Sequence, residues 1–593
     1  MLQELTTRIQ IAVGDFLIDK GVENPVVLLE RSNESSFGEY ATNVAMRYAK
    51  EMKSAPLVLA QEMVEKINRK DIPGLEKAQC VAPGFINFFL TTEYKQKHIA
   101  SIIVAGESFG KITLLQDEKW VIEHTSPNPN KAMHVGHLRN NLVGMGLVRL
   151  LKKAGAEVVS DGIYNNRGIA IAKVMYGYLA FMKGSDNVPT DIKYWYTHKR
   201  DWQTPLSRGQ KPDLFVTECY VQAEADFIGN PEVEKLVRQM VIDWEANDTE
   251  TWELWEQLLS YSYEGNHRVL NRLGSYWDKV WYEHEHYEKG KEYVQKGFKK
   301  GLFQKLEDGA ILTNLEEKYA LPDTVLLKSD GTSLYITQDL ALTDLKKQTY
   351  DADRLVWVVG PEQSLSFKQL FAACEQLGIG TVADFSHVTY GAVGLKSAEK
   401  GTFKMSSRAG TVVLIDDVID GVKNTILQRF IDDGKEPNKE VAETLALGAV
   451  KFAFLKSDRN QDMAFDVEQS VDVAGDSGMY VLYTFVRTQS ILRKAGEYVT
   501  PTNPVAELGD AAELVRSLLY FEDVVKKSVD DLSVHHIAQY ALAVSAEFNR
   551  WYAKETVLDG SKTEPFKVAL TKAVGITLEN SLAILGIETV DQI

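Results

Sequence analysis

The segment from Trp120 to Ser160 constrains this chain more than any other. A short apolar run, Trp120-Val121-Ile122-Glu123, passes through the turn Ser126-Pro127-Asn128-Pro129-Asn130 into a helical pattern from Leu138 to Ala154, and then reaches Glu157-Val158-Val159-Ser160. Strand, turn, helix and strand in this order open a doubly wound α/β sheet, which binds nucleotides at the carboxyl ends of its strands. Where the turn becomes a helix stand Lys131 and His134-Val135-Gly136-His137. A helix N-terminus presents unpaired N–H groups and a positive dipole end, and so favours a polyphosphate. Gly136 has no side chain to hold a nucleotide away from the backbone. His134 and His137 can donate hydrogen bonds to phosphate oxygens that gain charge in a transition state. Taken alone, the four residues equally describe histidines that decorate a helix start.

At 593 residues the chain is too long for one core, and a prior of roughly 100–200 residues per domain suggests several. Residues 1–112 read as a small α+β unit: helical patterns at Met1–Lys20 and Asn43–Asn68 frame Phe37-Gly38-Glu39-Tyr40, and the strand-like Pro83–Leu90 closes it. Residues 113–465 read as the α/β core, interrupted at about 185–275 by a stretch rich in charge, Trp and Tyr at helical spacing, which predicts an inserted helical subdomain. Strands are expected again at Leu334–Thr337 and Arg354–Gly360, each followed by a helix. Residues 466–593 carry only amphipathic helical patterns and predict a helix bundle.

Composition sets limits on partners and compartment. No apolar run approaches the ~18 residues of a membrane span and Met1–Asp15 is no signal peptide, so a soluble, cytoplasmic protein is expected. Cys80, Cys219 and Cys374 lack CxxC spacing, which argues against a disulfide framework or a structural zinc site. A net charge of −17 speaks against a protein coated in nucleic acid, yet a folded RNA can be held by a few basic strips and stacking contacts.

A second signal lies at about 395–415, in Phe403-Lys404-Met405-Ser406-Ser407-Arg408-Ala409-Gly410-Thr411. Its cations, hydroxyls and glycine suit a loop that closes on a triphosphate, although alone it also describes a charged surface loop. In this order across an α/β core, the two motifs resemble the HIGH and KMSKS signatures of class I aminoacyl-tRNA synthetases. Glu123–Lys131, Tyr335–Asp339, Val358–Gln363 and Asp476–Tyr483 resemble the arginyl-tRNA synthetases segment by segment, and the resemblance covers nearly the whole chain. Phe37–Asn43 resembles that family's N-terminal domain, associated with the tRNA elbow, and the C-terminal helices resemble its anticodon-binding domain.

The resemblance implies a Rossmann-like catalytic core that activates L-arginine with ATP and Mg²⁺ and transfers it to the 3′-terminal ribose of tRNA(Arg), in a monomer without a tightly bound metal site. It assigns His134, Gly136, His137, Lys404 and Arg408 to catalysis, with Lys131, Met405, Ser406 and Ser407 joining them at ATP. It places Asn128 and Gln363 at the α-amino and carboxyl end of arginine with Glu123 beside them, and Glu283, Tyr335 and Asp339 at the guanidinium. Carboxylates suit that group through bidentate, charge-assisted hydrogen bonds. Tyr335 and Asp339 share one face if a helix starts there; without the neighbouring motifs they equally describe a cap and a core tyrosine.

Some positions depart from the family pattern. Ser407 stands where the second signature has Lys, so Lys404 and Arg408 are expected to supply its charge. Ser366 replaces a common histidine, and Asn166 a common aspartate. Glu283-His284-Glu285-His286 read as a strand puts its residues on opposite faces, which favours a solvated charged run over a metal site. Tyr480, Tyr483, Arg487, Ile491 and Lys494 share a helical face suited to an unpaired RNA loop, or form a core stripe with basic ends; Phe548–Tyr552, including Trp551, is a second aromatic and basic cluster.

Overall fold

The computed structural model describes residues 2–32, 34–397, 401–404, 413–496 and 507–592. The N-terminal part begins with the helix Leu2–Asp19 and builds an antiparallel sheet in the order Glu30–Arg31, Tyr40–Thr42, Phe85–Leu90, Leu75–Val81. The helical pattern expected at Asn43–Asn68 is two helices, Val44–Tyr48 and Pro56–Asn68. Pro56 lacks an N–H and disfavours a helical residue before it, so Ala55 is extended and the second helix starts at the proline.

The central sheet contains five parallel strands: β1 (Lys119–Glu123), β2 (Glu157–Tyr164), β3 (Lys279–Tyr282), β4 (Arg354–Val358) and β5 (Phe385–Val388). Their spatial order is β5-β4-β1-β2-β3. Helix α1 (Val135–Lys153) links β1 to β2. Chain order reverses between β1 and β4, which opens a crevice at their carboxyl ends, the usual ligand site of such sheets.

Between β2 and β3 lies a helical layer: Ile169–Phe181, Ile192–Thr197, Pro212–Phe227, Pro231–Glu245 and α2 (Thr249–Arg272). It has its own core, which includes Tyr178, Trp195, Phe215 and Trp255. The layer begins at Ile169, ahead of the expected position near 185, because the first helix is apolar on most faces and packs into that core.

Leu334–Thr337 is not a strand. It is the cap and first turn of α3 (Tyr335–Tyr350): Thr337 Oγ1 accepts from the Leu334 N–H at 3.3 Å and donates to the Leu326 carbonyl. Four residues of mixed polarity cannot separate a strand from a first helical turn, and the strand here is Val325–Leu327, in a separate three-stranded antiparallel sheet.

After β5, Val393–Ser397 and Gly401–Lys404 form a hairpin, and Met463–Phe465 pairs parallel with its first strand. Helix α4 (Ile415–Asp432) and Lys439–Leu455 lead to the C-terminal helices Gly478–Ala495, Ala512–Leu519, Phe521–Asp530, His535–Tyr552 and Glu564–Ile584. Among the described residues no helix is long and apolar enough to cross a membrane.

The two ends of the chain meet. Tyr40 Oη donates to Asp523 Oδ2 at 2.9 Å, Tyr520 Oη to the Glu39 carbonyl at 2.8 Å, and Arg516 to the Ser32 carbonyl at 2.9 Å. Glu39 and Tyr40 of the Phe37–Tyr40 motif are therefore buried against the bundle and hold the N-terminal part in place. Burial pushes the Asp523 carboxyl above its ordinary range, and the Tyr40 hydroxyl opposes that shift. Tyr40→Phe should destabilise the docked pair by about 1–3 kcal/mol, because it strands a buried acceptor. Urea or thermal unfolding measures the loss, and an unchanged midpoint would refute this role for the contact.

Candidate active site

Helix α1 starts with a reciprocal cap. His134 Nδ1 accepts from the Gly136 N–H at 3.1 Å, and His137 Nδ1 accepts from the His134 N–H at 3.1 Å. The rings lie 4.0 Å apart between centroids. Since each Nδ1 is an acceptor, each neutral ring carries its proton on Nε2 and presents a donor there. Burial, with His134 as neighbour, brings His137 down to about 3; burial and Lys131 lower His134. Both rings are thus neutral donors near pH 7. A Cβ on Gly136 would stand 2.9 Å from His134 Cε1, so a side chain there would displace the ring.

The helical layer and the second signature converge on this cap. Lys131 Nζ lies over the Tyr220 ring at 4.6 Å, and the Ala132 N–H donates to Thr217 Oγ1 at 2.7 Å. The Val135 N–H donates to the Val413 carbonyl and the Ile415 N–H to the Met133 carbonyl, so the exit of the signature loop runs beside His134. The side chain of Lys404 and all of Met405, Ser406, Ser407 and Arg408 lie outside the described residues.

A carboxylate pocket lies at the carboxyl ends of β1, β2 and β3. Glu123 and Asp161 are register partners on adjacent strands, both are buried, and both reach the Lys346 ammonium, at 2.7 and 2.9 Å. Glu283 follows β3 in a 3₁₀ turn, Glu283–Glu285; the expected strand ends at Tyr282. Burial raises Glu283, while Arg167, 3.9 Å away, and Gln338 oppose the rise. His284 and Tyr263 hydrogen bond to Asn166, so that position serves as buried scaffolding.

Asp339 projects from α3 toward these acids. Among the described residues no hydrogen bond or ion pair reaches its carboxyl oxygens. Burial, followed by the charge of Glu123, pushes it up to about 7, with Lys346 opposing and Glu283 adding to the rise. Tyr335, one turn earlier, is 80% exposed at the helix start. Asn128 and Gln363 are exposed on the loops after β1 and β4; Asn128 accepts from Asn165 at 3.3 Å, and Ser366 is exposed one turn beyond Gln363. Lys346, Asp161 and Arg167 were missing from the sequence reading. A lysine seven residues after Asp339, on the same helical face, was the available signal for Lys346.

The C-terminal helix Gly478–Ala495 exposes Arg487 and leaves Tyr480 and Tyr483 half-buried; Ile491 is core. Trp551, a candidate tRNA contact in the aromatic and basic cluster Phe548–Tyr552, is instead buried and packs on Phe548, so its ring is not presented to an RNA base. Tyr552, the next residue, turns outward: it stacks on Phe548 with Arg487 5.5 Å above its ring, and Asn549 accepts from Arg487.

Comparison with known proteins matches this architecture in order along the chain. A family model described as the arginyl tRNA synthetase N terminal domain matches residues 3–90. One described as the class I (R) tRNA synthetase catalytic domain matches 98–166 and 201–467, and the DALR anticodon binding domain matches 481–593. An arginine–tRNA ligase of Phocaeicola vulgatus is 31% identical over 99% of this chain and 98% of its own length, and one of Treponema denticola is 32% identical over 90% of both. The solved arginyl-tRNA synthetase of Thermus thermophilus shares the fold at a TM-score of 0.80, with 22% identity over 99% of this chain and 100% of its own. That of Plasmodium falciparum shares it at 0.78, with 19% identity over 99% of each chain. Sequence identity sustained from end to end, together with the three matched domain families, places the chain in the arginyl-tRNA synthetase family of class I.

Proposed function

We infer that this chain activates L-arginine with ATP and transfers it to the 3′-terminal ribose of tRNA(Arg), releasing AMP and pyrophosphate. The observation that carries the reading is Asp339: a half-buried carboxyl beside the buried Glu123 and Glu283, which no hydrogen bond or ion pair reaches among the described residues and which burial and the charge of Glu123 raise above its ordinary range. A guanidinium supplies a cation and two parallel N–H groups. Glu283 and Tyr335 border the same end of the substrate, and Asn128, Gln363 and Glu123 receive its α-amino and carboxyl end. Residues 1–112, 113–465 and 466–593 then serve as elbow-binding, catalytic and anticodon-binding units of a monomer working in the cytoplasm.

In the first step the arginine carboxylate attacks the α-phosphorus in line, and the bond to pyrophosphate breaks. The Nε2–H groups of His134 and His137 donate to oxygens that gain charge, backed by the α1 N-terminus and Lys131. Lys404 and Arg408 hold the departing pyrophosphate with Met405, Ser406 and Ser407. Mg²⁺ arriving with the nucleotide would supply further positive charge to the phosphates. In the second step the terminal ribose hydroxyl attacks the activated carbonyl and AMP leaves. No covalent enzyme intermediate is needed.

The phosphate role is tested by His134→Asn and His137→Gln, which keep a cap acceptor but remove the ring Nε2–H. Pyrophosphate exchange should lose roughly 10²–10³ in kcat with little change in melting temperature. Parent-like exchange would sink the role.

The arginine pocket has a pH signature. Because the Asp339 carboxyl is raised, its neutral form is bound more tightly in the folded state: stability is full below about pH 4 and declines as pH rises through about 7. Asp339→Asn should therefore melt above the parent at pH 8, lose that advantage near pH 4, and still fail to activate arginine. Arginine binds the ionised form, so its KM in the parent should climb below about pH 7, up to about tenfold per unit. A flat KM profile from pH 6 to 8 would refute the pocket.

On the bundle, Tyr552→Ala and Arg487→Ala should raise KM for tRNA while exchange at saturating tRNA stays near the parent rate. Trp551→Ala should instead cost about 3–5 kcal/mol of stability. Unaltered tRNA KM in the first two variants would remove this face from the interface.

A further inference from the structure

Lys346 is among the most deeply buried charges of the chain, with a side chain 1% exposed. Its Nζ bridges Glu123 Oε2 on β1, at 2.7 Å, and Asp161 Oδ1 on β2, at 2.9 Å. The other oxygens of this pair have neutral donors: Ser126 Oγ lies 3.4 Å from Glu123 Oε1, and Trp281 Nε1 and Tyr350 Oη lie 2.9 and 3.2 Å from Asp161 Oδ2. Among the described residues Lys346 is the one cation bonded to the pair. The titratable groups that face it are Glu123, Asp161, the neighbouring Asp339, His286 after β3 and Tyr350 on its own helix; Glu283, with Arg167 at 3.9 Å, closes the pocket beyond them.

A buried ion pair seldom stabilises a fold better than apolar residues of the same volume, so stability alone does not explain an ammonium here. Charge balance does. Glu123 and Asp161 sit opposite each other on adjacent strands, and two uncompensated carboxylates there would drive neighbouring acids toward their neutral forms. A neutral Asp339 presents a proton where the guanidinium needs an acceptor. Burial pulls Lys346 down, but Asp161 and Glu123 outweigh it and keep the ammonium above its ordinary range.

We propose that Lys346 is a positioning residue for arginine: it fixes Glu123 on the pocket floor and supplies the buried positive charge that lets Asp339 ionise to receive the guanidinium. The proposal rests on the arginine reading of this pocket. Lys346 touches no substrate atom in this role and acts through the two carboxylates.

The test compares Lys346→Met, Lys346→Arg and the charge-balanced double variant Lys346→Met/Asp161→Asn. For each, KM for arginine and for ATP is measured from pH 6 to 9, with thermal melting alongside. In Lys346→Met the midpoint of the arginine KM profile should move up by about one pH unit or more, while KM for ATP stays within about twofold of the parent. The double variant should bring the midpoint back toward the parent, and Lys346→Arg should retain it. A folded Lys346→Met with the parent midpoint overturns the proposal. Failure of both Met variants to fold, with Lys346→Arg unchanged, also overturns it and leaves a structural ion pair. A parent enzyme without any midpoint near pH 7 sinks the arginine reading and this proposal together, whereas an unmoved midpoint in Lys346→Met sinks only the proposal.

Discussion

The rest of the structure hangs on the burial of α1. From Val135 to Leu151 nearly every residue of this helix is buried, including Arg139, Asn140 and Asn141. Such a helix is tolerable only when its polar side chains find partners. Arg139 donates to the carbonyls of Asp458, Arg459 and Gln461, which fixes the chain leaving the helix Lys439–Leu455. Asn140 accepts from the Thr125 N–H and donates to the Val358 carbonyl, clamping the ends of β1 and β4 on either side of the crevice. Asn141 reaches Thr125 and Ser275. These contacts hold Thr125 at φ +52°, a backbone conformation that costs a β-branched residue about 1–3 kcal/mol. The turn before the histidines is thereby set from below, and their rings follow.

Beside that rigid helix start the enzyme keeps an electrostatic deficit. Glu123, Asp161, Glu283 and Asp339 gather around one buried lysine and one arginine at the rim, so the substrate-free pocket is short of positive charge. On the proposed arginine reading the cost falls on the free protein and is recovered when the guanidinium binds, so recognition and stability pull against each other at Asp339. Discrimination also follows: an uncharged amino acid leaves the acids unpaired in a desolvated site, a penalty that shape alone does not match.

The RNA-facing bundle teaches a different lesson. Phe548, Trp551 and Tyr552 carry the same kind of chemistry within one helical turn and a half, but only Tyr552 faces solvent. A net charge of −17 leaves room for basic groups placed locally on this face, such as Arg487 above Tyr552. The Tyr40, Tyr520 and Asp523 contacts join the first and last parts of the chain, and Lys153 at the end of α1 donates to Asn580 of the last helix at 2.6 Å, so the bundle is held by packing against both the N-terminal part and the catalytic core.

Much of this was legible before any coordinates. The strand–turn–helix order at Trp120–Ser160, the histidine motif at a helix start, the helical insertion and the strand-free C-terminus are local patterns of apolar spacing and special residues, and local spacing is what a sequence carries directly. Asp339 and Glu283 were singled out by the family resemblance, with which a guanidinium's need for carboxylates agrees. Leu334–Thr337 was misread because four residues fit either period until Thr337 finds Leu326. Trp551 was placed on the wrong side because neighbouring aromatic positions differ by only 100° around a helix, and the packing of Phe548 decides which one turns inward. Lys346 escaped notice because its meaning depends on Glu123 and Asp161, some 200 residues away along the chain and brought within 3 Å of it only by the register of β1 against β2 beneath α3. The sequence determined which elements form and which chemistry they carry; which side chains share a pocket, and which charges are left uncompensated in it, was decided by tertiary packing, because burial and Coulomb coupling depend on distance in space rather than along the chain.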